Sequence, residues 1–238
     1  MTADPQTDRP PLAADLLLLA HDDATGRRLL APSHFAPTVA GAVVLDLLLL
    51  GVLALADTDD APVPRGRLYR VVGAPRPDLL LESVADEVHG RTPVKAVQRL
   101  ATRTFDNKVG QVTTALMRQL TARGMLRHEQ RRTLGIFSSE RYVAADITYK
   151  RGLEQRVGEV VVAGREPDAR TAALVCLLSA SDLTPSVLPG VDRRLVRQRA
   201  AQVADGSWAP AAVRKAVDDV TTAMLTAVLV PVATQGHT

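Results

Sequence analysis

Three arginines stand close to an apolar cluster in the segment 123–146, and this combination offers the clearest chemistry in the sequence. The arginines are Arg127, Arg131 and Arg132, and the apolar residues are Leu134, Ile136 and Phe137. Guanidinium groups bind phosphate oxygens, and apolar side chains beside them enter a membrane interface, where each basic residue adds about 1 kcal/mol of attraction to anionic lipid. The segment therefore predicts a membrane contact. It equally suits a contact with a second copy of the chain or with the protein's own body, because exposed strand edges are commonly paired.

A further interpretation of the same segment is a winged-helix module that binds DNA. Its recognition helix would be 106–120, which should display several base-reading or phosphate-binding side chains together. The polar residues there are instead spread around the helix: Asn107, Lys108, Gln111, Arg118 and Gln119. A DNA-binding regulator is therefore the runner-up to a membrane-binding protein, and a purely protein-binding scaffold comes third.

The sequence contains none of the motifs that mark the common catalytic sites. It has no GxxxxGK(S/T) phosphate loop, no GxGxxG after a strand, no HExxH, no CxxC and no GxSxG. Its five His residues have no i, i+4 spacing that would place two imidazoles on one helix face. We predict a protein without catalysis, cofactor or metal.

The overall charge limits how such a protein finds its partner. The chain has 29 basic and 26 acidic residues, so its net charge is only +3, and any basic site must be a local patch. The single cysteine, Cys176, lies in the apolar run LVCLL and is expected to be a buried, inert thiol. The opening MTADPQTDRPPL has neither a basic nor an apolar leader region, which predicts no signal peptide and a cytoplasmic protein.

The most apolar stretch, residues 39–56, is almost long enough to cross a bilayer. Asp46 near its centre would cost about 2.5–3.5 kcal/mol there. Asp57, Asp59 and Asp60 follow, with no Lys or Arg close on either side to anchor an interface. We therefore predict the central helix of a soluble bundle. The segment 220–233, interrupted by Pro231, predicts a terminal core helix.

Helix signals dominate the rest of the chain. Apolar spacing and cap residues predict helices at 12–22, from 37, at 78–89, 92–101 and 106–123, and from 147, 168, 191 and 210. The stretch LYRVV predicts a short strand inside a loop. The stretches MLRHEQ and TLGIFSSERYV predict an antiparallel hairpin around Arg131 and Arg132. The fold class is mainly α.

The order of several segments resembles that of the Golgi phosphoprotein 3 family, and of its bacterial members in particular. The segments are LAADLLLLAHDDATGR, GAVVLDLLLLGVLAL, VTTALMRQLTARGML, TLGIF and RTAALVCLLSASDL. The resemblance implies a central helix bundle ringed by amphipathic helices, with the hairpin projecting from it. It divides the chain into a disordered tail at 1–11, a single domain at 12–232 and a C-terminal tail at 233–238.

The resemblance also implies a function, since family members bind phosphatidylinositol 4-phosphate on membranes. Eukaryotic members hold the head group with a Trp and three Arg, and the matching positions here are Ala31 or Pro32, Ala40, Gly110 and Thr113. The charged ligands of that pocket are thus replaced. The basic N-terminal cluster that binds coat proteins is absent too, since only Arg9 is basic in residues 1–12. The remaining head-group candidates are Arg27, Arg28, Arg103, Lys108 and Thr113.

We therefore predict a peripheral membrane protein or adaptor that binds anionic or phosphoinositide-like head groups, is cytoplasmic and associates with the membrane surface. A homo-oligomer formed through the hairpin is a further expectation, and DNA is not expected as the main partner. Asp46 and Asp182 are the polar residues expected to be buried, each bonded to backbone N–H groups or to an Arg. Trp208 is expected to pack against the bundle, with Ser207 capping the next helix and Pro210 in its first turn.

Overall fold

Helices make up most of the protein. The structure is a computed structural model that describes residues 9–75, 77–102, 107–133 and 137–229, with the backbone alone at 130–133, 137–140 and 227–229. Its helices are α1 (Leu12–Leu19), α2 (Pro32–Leu49), α3 (Leu79–Val88), α4 (Pro93–Ala101), α5 (Lys108–Ala122), α6 (Thr148–Val161), α7 (Ala169–Ala180), α8 (Thr184–Val187), α9 (Arg193–Asp205) and α10 (Ala211–Leu229). Its strands are β1 (Leu53–Leu55), β2 (Leu68–Arg70), β3 (Leu126–Thr133) and β4 (Phe137–Ala144). The predicted fold class, a single mainly α domain, is confirmed.

The core is built around α2, which packs against α1, α4, α7 and α10. Every residue from Pro37 to Leu48 is buried, so this helix is apolar on all sides. Gly41 lets α10 approach closely, since a Cβ there would lie 2.8 Å from the sulfur of Met224. The surrounding helices differ: α1 is buried along its whole length, whereas others bury one face and expose the other. α4, for example, buries Val97 and exposes Lys95.

The boundaries of α2 differ from the prediction at both ends. The helix begins at Pro32, not near Pro37, because Pro32 supplies a helical φ at the first position, where no N–H partner is needed. It ends at Leu49 because Gly51 turns the chain with a φ of +68°. The residues that follow form β1, which pairs antiparallel with β2. A short apolar run such as LAL is equally compatible with a helix and with a buried strand. This ambiguity explains why the prediction of a helix to residue 56 was wrong.

By length and composition, α2 is the one helix among the described residues that could cross a membrane. In this fold 67% of its residues are buried inside the protein. That burial is consistent with the predicted role as a central bundle helix.

The strands β3 and β4 form an antiparallel pair, which we call the ribbon. Leu126 pairs with Ala144 at its base, and Thr133 pairs with Phe137 at its far end. Arg131 and Arg132 therefore lie within β3, opposite Ser139 and Ser138, and not at the turn where the sequence placed them. The apex predicted at TLGIF falls on residues 134–136, which lie outside the described residues. Pairing register, which sequence alone does not specify, decides these positions.

Asp46 is buried, as predicted, and it caps another helix. Its carboxylate accepts the N–H groups of Leu12 at 2.5 Å and Ala13 at 2.9 Å. These are orphan donors at the start of α1, where Pro11 occupies the cap position without a side-chain bond. This capping of α1 explains why an acidic residue lies in the middle of an otherwise apolar helix.

Asp182 is not buried as predicted, although it does pair with an Arg, since its carboxylate lies 3.7 Å from the guanidinium of Arg193. The side chain of Asp182 is 56% exposed, and its φ of +53° places it in a left-handed turn after α7. Asp tolerates this conformation better than most residues, so the turn explains the residue type. The second buried acid is instead Asp15, which is 1% exposed and pairs with Arg170. Its position inside the apolar run LAADLLLL gave no sign of that partner.

The two residue types that occur once each have packing roles. Cys176 is buried, and burial raises the pKa of its thiol to about 12. Trp208 packs against the core, and its indole N–H donates to the carbonyl of Val203. Both predictions are confirmed, although Ser207 lies four residues before α10 begins and does not cap it.

Asp46 should make stability depend on pH in the acidic range. Burial raises its pKa from 3.8 to about 6 in the folded state. The folded chain therefore holds this proton more tightly than the unfolded chain, and the free energy of unfolding falls as pH rises between those two values. Asn does not titrate, so we expect the stability advantage of the wild type over D46N to narrow by roughly 2–3 kcal/mol from about pH 4 to about pH 7. Urea unfolding at both pH values measures this, and a constant difference would contradict it.

Candidate anion-binding cleft

The loop between α1 and α2 is folded back on itself and presents two arginines. His21 and Arg28 form an isolated antiparallel bridge, and a side-chain oxygen of Asp22 accepts the backbone N–H and the hydroxyl of Thr25. Gly26 takes a φ of +62° and lies so close to β4 that a Cβ would stand 2.6 Å from the carbonyl oxygen of Tyr142. The loop therefore requires glycine at this position.

A lysine ties this loop to the rest of the fold. The ammonium group of Lys150 on α6, which is almost fully buried, donates to the carbonyl of His21 and to the carboxylate of Asp23. The N–H of Ala144 at the end of β4 donates to the carbonyl of Asp23 at 3.3 Å. The loop is thus held between α6 and the ribbon.

Between this loop and the ribbon lies a cleft of about 600 Å³, which we call the basic cleft. Its lining residues are His21, Thr25, Gly26, Arg27, Arg28, Phe35, Thr113, Met117, Arg141 and Tyr142. They come from the loop, α2, α5 and β4. Only the tertiary arrangement of these four parts creates it.

Three guanidinium groups give the basic cleft its charge. Arg27 and Arg28 are exposed, and Arg141 is half-buried, with a guanidinium nitrogen 3.5 Å from the carbonyl of Thr25. Arg28 lies 4.1 Å above the centre of the Phe35 ring, which orients it by a cation–π contact. None of the described lining residues is acidic, so an anion entering the cleft meets three positive charges.

The structure brings together some of the head-group candidates and separates others. Arg27, Arg28 and Thr113 line the basic cleft. Lys108 does not, and its ammonium donates to the hydroxyl of Ser83 at 2.7 Å. Arg103 lies outside the described residues. The hydroxyl of Thr113 donates its proton to the carbonyl of Val109. Toward a ligand it can therefore act only as a hydrogen-bond acceptor and as part of the cleft wall.

Of the positions matched to the family's charged pocket, only Thr113 lines the cleft. Ala40 is fully buried in α2, and Gly110 lies against its own cap residue, Asn107. Sequence reasoning did not single out His21, Phe35, Arg141 or Tyr142. The sequence signal that could have pointed to one of them is the polar, aromatic pattern of SSERYV, because a strand running back from the hairpin brings Arg141 and Tyr142 to its base.

Of the three ribbon arginines that the sequence indicated as anion ligands, one is already paired with an acid. The guanidinium of Arg127 is paired with Glu129 on the same strand, at 2.6 Å. Arg131, Arg132 and Phe137 lie on β3 and β4 with only their backbones described. Leu134 and Ile136 lie outside the described residues. The ribbon contact with a membrane or a second copy stays a prediction.

The described residues contain no group of three or more His, Cys, Asp or Glu that could hold a metal ion. What the basic cleft can hold is an anion, through guanidinium groups and a half-buried aromatic wall.

A helical bundle with a basic cleft at the base of an antiparallel strand pair defines a candidate anion-binding protein. The chain matches the family described as Golgi phosphoprotein 3 (GPP34) over residues 12–220. The protein belongs to this family, and the resemblance seen in the sequence is confirmed. A search among curated proteins gave no significant match.

Proposed function

We propose that the protein is a peripheral membrane protein or adaptor that binds anionic lipid head groups, phosphoinositide-like ones included, in the basic cleft, without catalysing a reaction. The observation that carries the proposal is the convergence of Arg27, Arg28 and Arg141 on one open cleft without an acidic lining residue. Family membership supports it, because Golgi phosphoprotein 3 proteins form a non-catalytic adaptor family. The site of action is then the membrane surface facing the cytoplasm.

The size and openness of the cleft suit a lipid head group. Its volume of about 600 Å³ falls within the range of roughly 300–1,000 Å³ that small-molecule sites occupy. Phe35 and Tyr142 are half-buried at its edge and provide apolar surface beside the charges. Phosphate oxygens would replace the water around three guanidinium groups.

The ribbon supports the same orientation toward a membrane. β4 carries Arg141 and Tyr142 at the cleft and continues away from it as one side of the ribbon. A flat anionic surface that meets the cleft is therefore close to the ribbon base as well. Leu134 and Ile136 lie outside the described residues, so their predicted membrane contact is tested separately.

Co-sedimentation with liposomes tests the proposal. We expect binding to phosphatidylcholine vesicles that contain phosphatidylglycerol, weak binding to pure phosphatidylcholine, and a loss of binding as salt is raised, because exposed arginines act through screened attraction. Phosphatidylinositol 4-phosphate should show little advantage over other lipids of equal charge, since the family's own Arg positions are replaced. Equal binding to neutral vesicles, or binding only in a DNA mobility shift, would contradict the proposal.

Two double variants separate the possible roles of the ribbon. R131E/R132E reverses charge on β3, and L134S/F137S removes about 1.5–3 kcal/mol of burial for each side chain that inserts. We expect both to weaken liposome binding while circular dichroism stays unchanged, because the family resemblance implies a ribbon that projects from the helical bundle. R194E/R197E, which reverses two exposed charges on α9, serves as the matched control.

The same variants give a different pattern for each alternative partner. A dimer contact predicts that L134S/F137S lowers the mass in solution and that R131E/R132E has less effect. DNA binding predicts that only R131E/R132E matters, through lost phosphate contacts. Full lipid binding by both variants would remove the ribbon from the membrane contact and leave the basic cleft alone.

A further inference from the structure

A histidine stands among the arginines of the basic cleft. His21 lies just after the end of α1, and its Nδ1 is 2.7 Å from the carbonyl oxygen of Leu17. A carbonyl oxygen can only accept a hydrogen bond, so Nδ1 carries the proton of the neutral ring. Nε2 is then the ring nitrogen that remains for a ligand, and in the neutral ring it presents a lone pair.

The protein groups around His21 favour this neutral form. Burial lowers the pKa of His21, the bond to Leu17 opposes that effect, and the charges of Arg28 and Lys150 lower the pKa further. Arg27, Arg141 and Tyr142 also face the cleft from the loop and from β4. The nearby acids are engaged elsewhere, since Asp22 accepts bonds from Thr25 and Asp23 pairs with Lys150.

An anion in the cleft favours the protonated form of His21 instead. A phosphate oxygen beside a neutral ring faces the lone pair of Nε2, which is unfavourable. The same oxygen beside a protonated ring receives a charge-assisted hydrogen bond. The ligand's negative charge also offsets Arg28 and Lys150, which otherwise oppose protonation.

We propose that His21 takes up a proton from solvent when an anionic head group enters the basic cleft, forming an Nε2–H that donates to a phosphate oxygen. This inference rests on the proposed function of the cleft and adds a regulation to it. Binding is linked to one proton and becomes tighter as pH falls through the range in which His titrates. A membrane surface at low local pH then retains the protein better than a surface of the same lipid charge at neutral pH.

The first test compares vesicle binding at about pH 5.5 and about pH 8, on either side of the usual His titration. Phosphatidylcholine vesicles containing phosphatidylglycerol are suitable because a phosphodiester does not titrate in this range. We expect wild-type binding to be about tenfold tighter at the lower pH. H21N keeps an N–H near the position of Nδ1 for Leu17 but cannot titrate, and it should lose most of that difference.

A matched control is H89N, which changes an exposed His after the end of α3, away from the cleft. It should keep the wild-type pH dependence. If wild-type binding does not change with pH, or if H21N retains the full change, the proposal is wrong. Circular dichroism of each variant confirms that the fold is intact.

The second test separates this inference from lipid binding itself. NMR follows the ring signal of His21 against pH in sodium sulfate and in sodium chloride of equal ionic strength, because sulfate does not titrate above about pH 3 and mimics the head-group charge. We expect sulfate to move the midpoint upward by about one pH unit. If vesicles bind but neither sulfate nor vesicles move the midpoint, the proton linkage fails and lipid binding stands. If sulfate moves the midpoint but no vesicle binds, the lipid function fails and the linkage stands. If neither happens, both proposals fall.

Discussion

Replacing Arg170 with Ala is expected to lower the free energy of unfolding by about 3–5 kcal/mol, because it leaves a buried carboxylate without its charge partner. Asp15 is 1% exposed, and Arg170 donates to its Oδ2 from two guanidinium nitrogens, at 2.5 Å and 3.2 Å. Arg170 also donates to the carbonyl of Pro10, so the substitution releases the start of α1 as well. Urea unfolding at neutral pH measures the loss.

Two comparisons show that the loss comes from the unpaired acid. The double variant D15L/R170M replaces the pair with apolar side chains and should recover most of the stability, since a buried ion pair contributes little net free energy. R165A removes an exposed Arg that pairs with Glu159 on the surface and should change stability by less than about 1 kcal/mol. An R170A variant as stable as R165A would contradict this account of a buried charge held by its Arg partner.

The hydroxyl of Tyr149 completes this buried group. It donates to Oδ1 of Asp15 at 2.8 Å, and burial together with the charge of Asp15 raises the pKa of Tyr149. The phenol therefore keeps its proton at neutral pH and remains a donor. Asp15, Arg170 and Tyr149 connect α1, α7 and α6, so one ionic cluster joins three helices of the bundle.

Removing the three cleft charges together is expected to weaken binding to anionic vesicles by about a hundredfold. Each basic residue near an anionic surface contributes about 1 kcal/mol, and tenfold in affinity corresponds to about 1.4 kcal/mol. The variant R27Q/R28Q/R141Q removes charge while keeping side chains that can form hydrogen bonds. Vesicle co-sedimentation at low salt measures the change.

The control for this variant must change the net charge equally. R193Q/R194Q/R197Q removes three exposed charges from α9, a helix that does not line the basic cleft. We expect it to bind vesicles within about threefold of the wild type, because charges outside the contact are screened within a Debye length of about 10 Å. Equal losses in the two variants would show that binding depends on the overall charge and not on the cleft.

The basic cleft places three arginines at positions other than those of the family's charged pocket. Ala40 and Gly110 have no charged side chain, and they do not line the cleft. Arg27, Arg28 and Arg141 come from other parts of the chain, the first loop and β4. Since all three lie on exposed or half-exposed positions, we expect their attraction to be more sensitive to salt and less selective among head groups.

The sequence alone determined the fold class, the family and most helix positions. Local caps explain this success, since Asp78, Thr92 and Asp168 each cap the helix that they precede, within one residue of the predicted starts. The burial of Asp46 followed as well, because an acid in an otherwise apolar helix must have a partner. These features depend on neighbours in sequence or on composition, both of which are visible without a structure.

Only the tertiary structure decided the site and several polar contacts. The apolar residues of β1 are compatible with the end of a helix, and it is the pairing with β2 that makes them a strand. In the same way, the register of the ribbon places Arg131 and Arg132 within β3 and not at a turn. Arg170 lies 155 positions from Asp15, and Arg141 lies 116 positions from Thr25. Contacts across such separations depend on how helices pack and strands register. No local pattern in one sequence records that packing, so the basic cleft exists only where the tertiary fold places the first loop against β4.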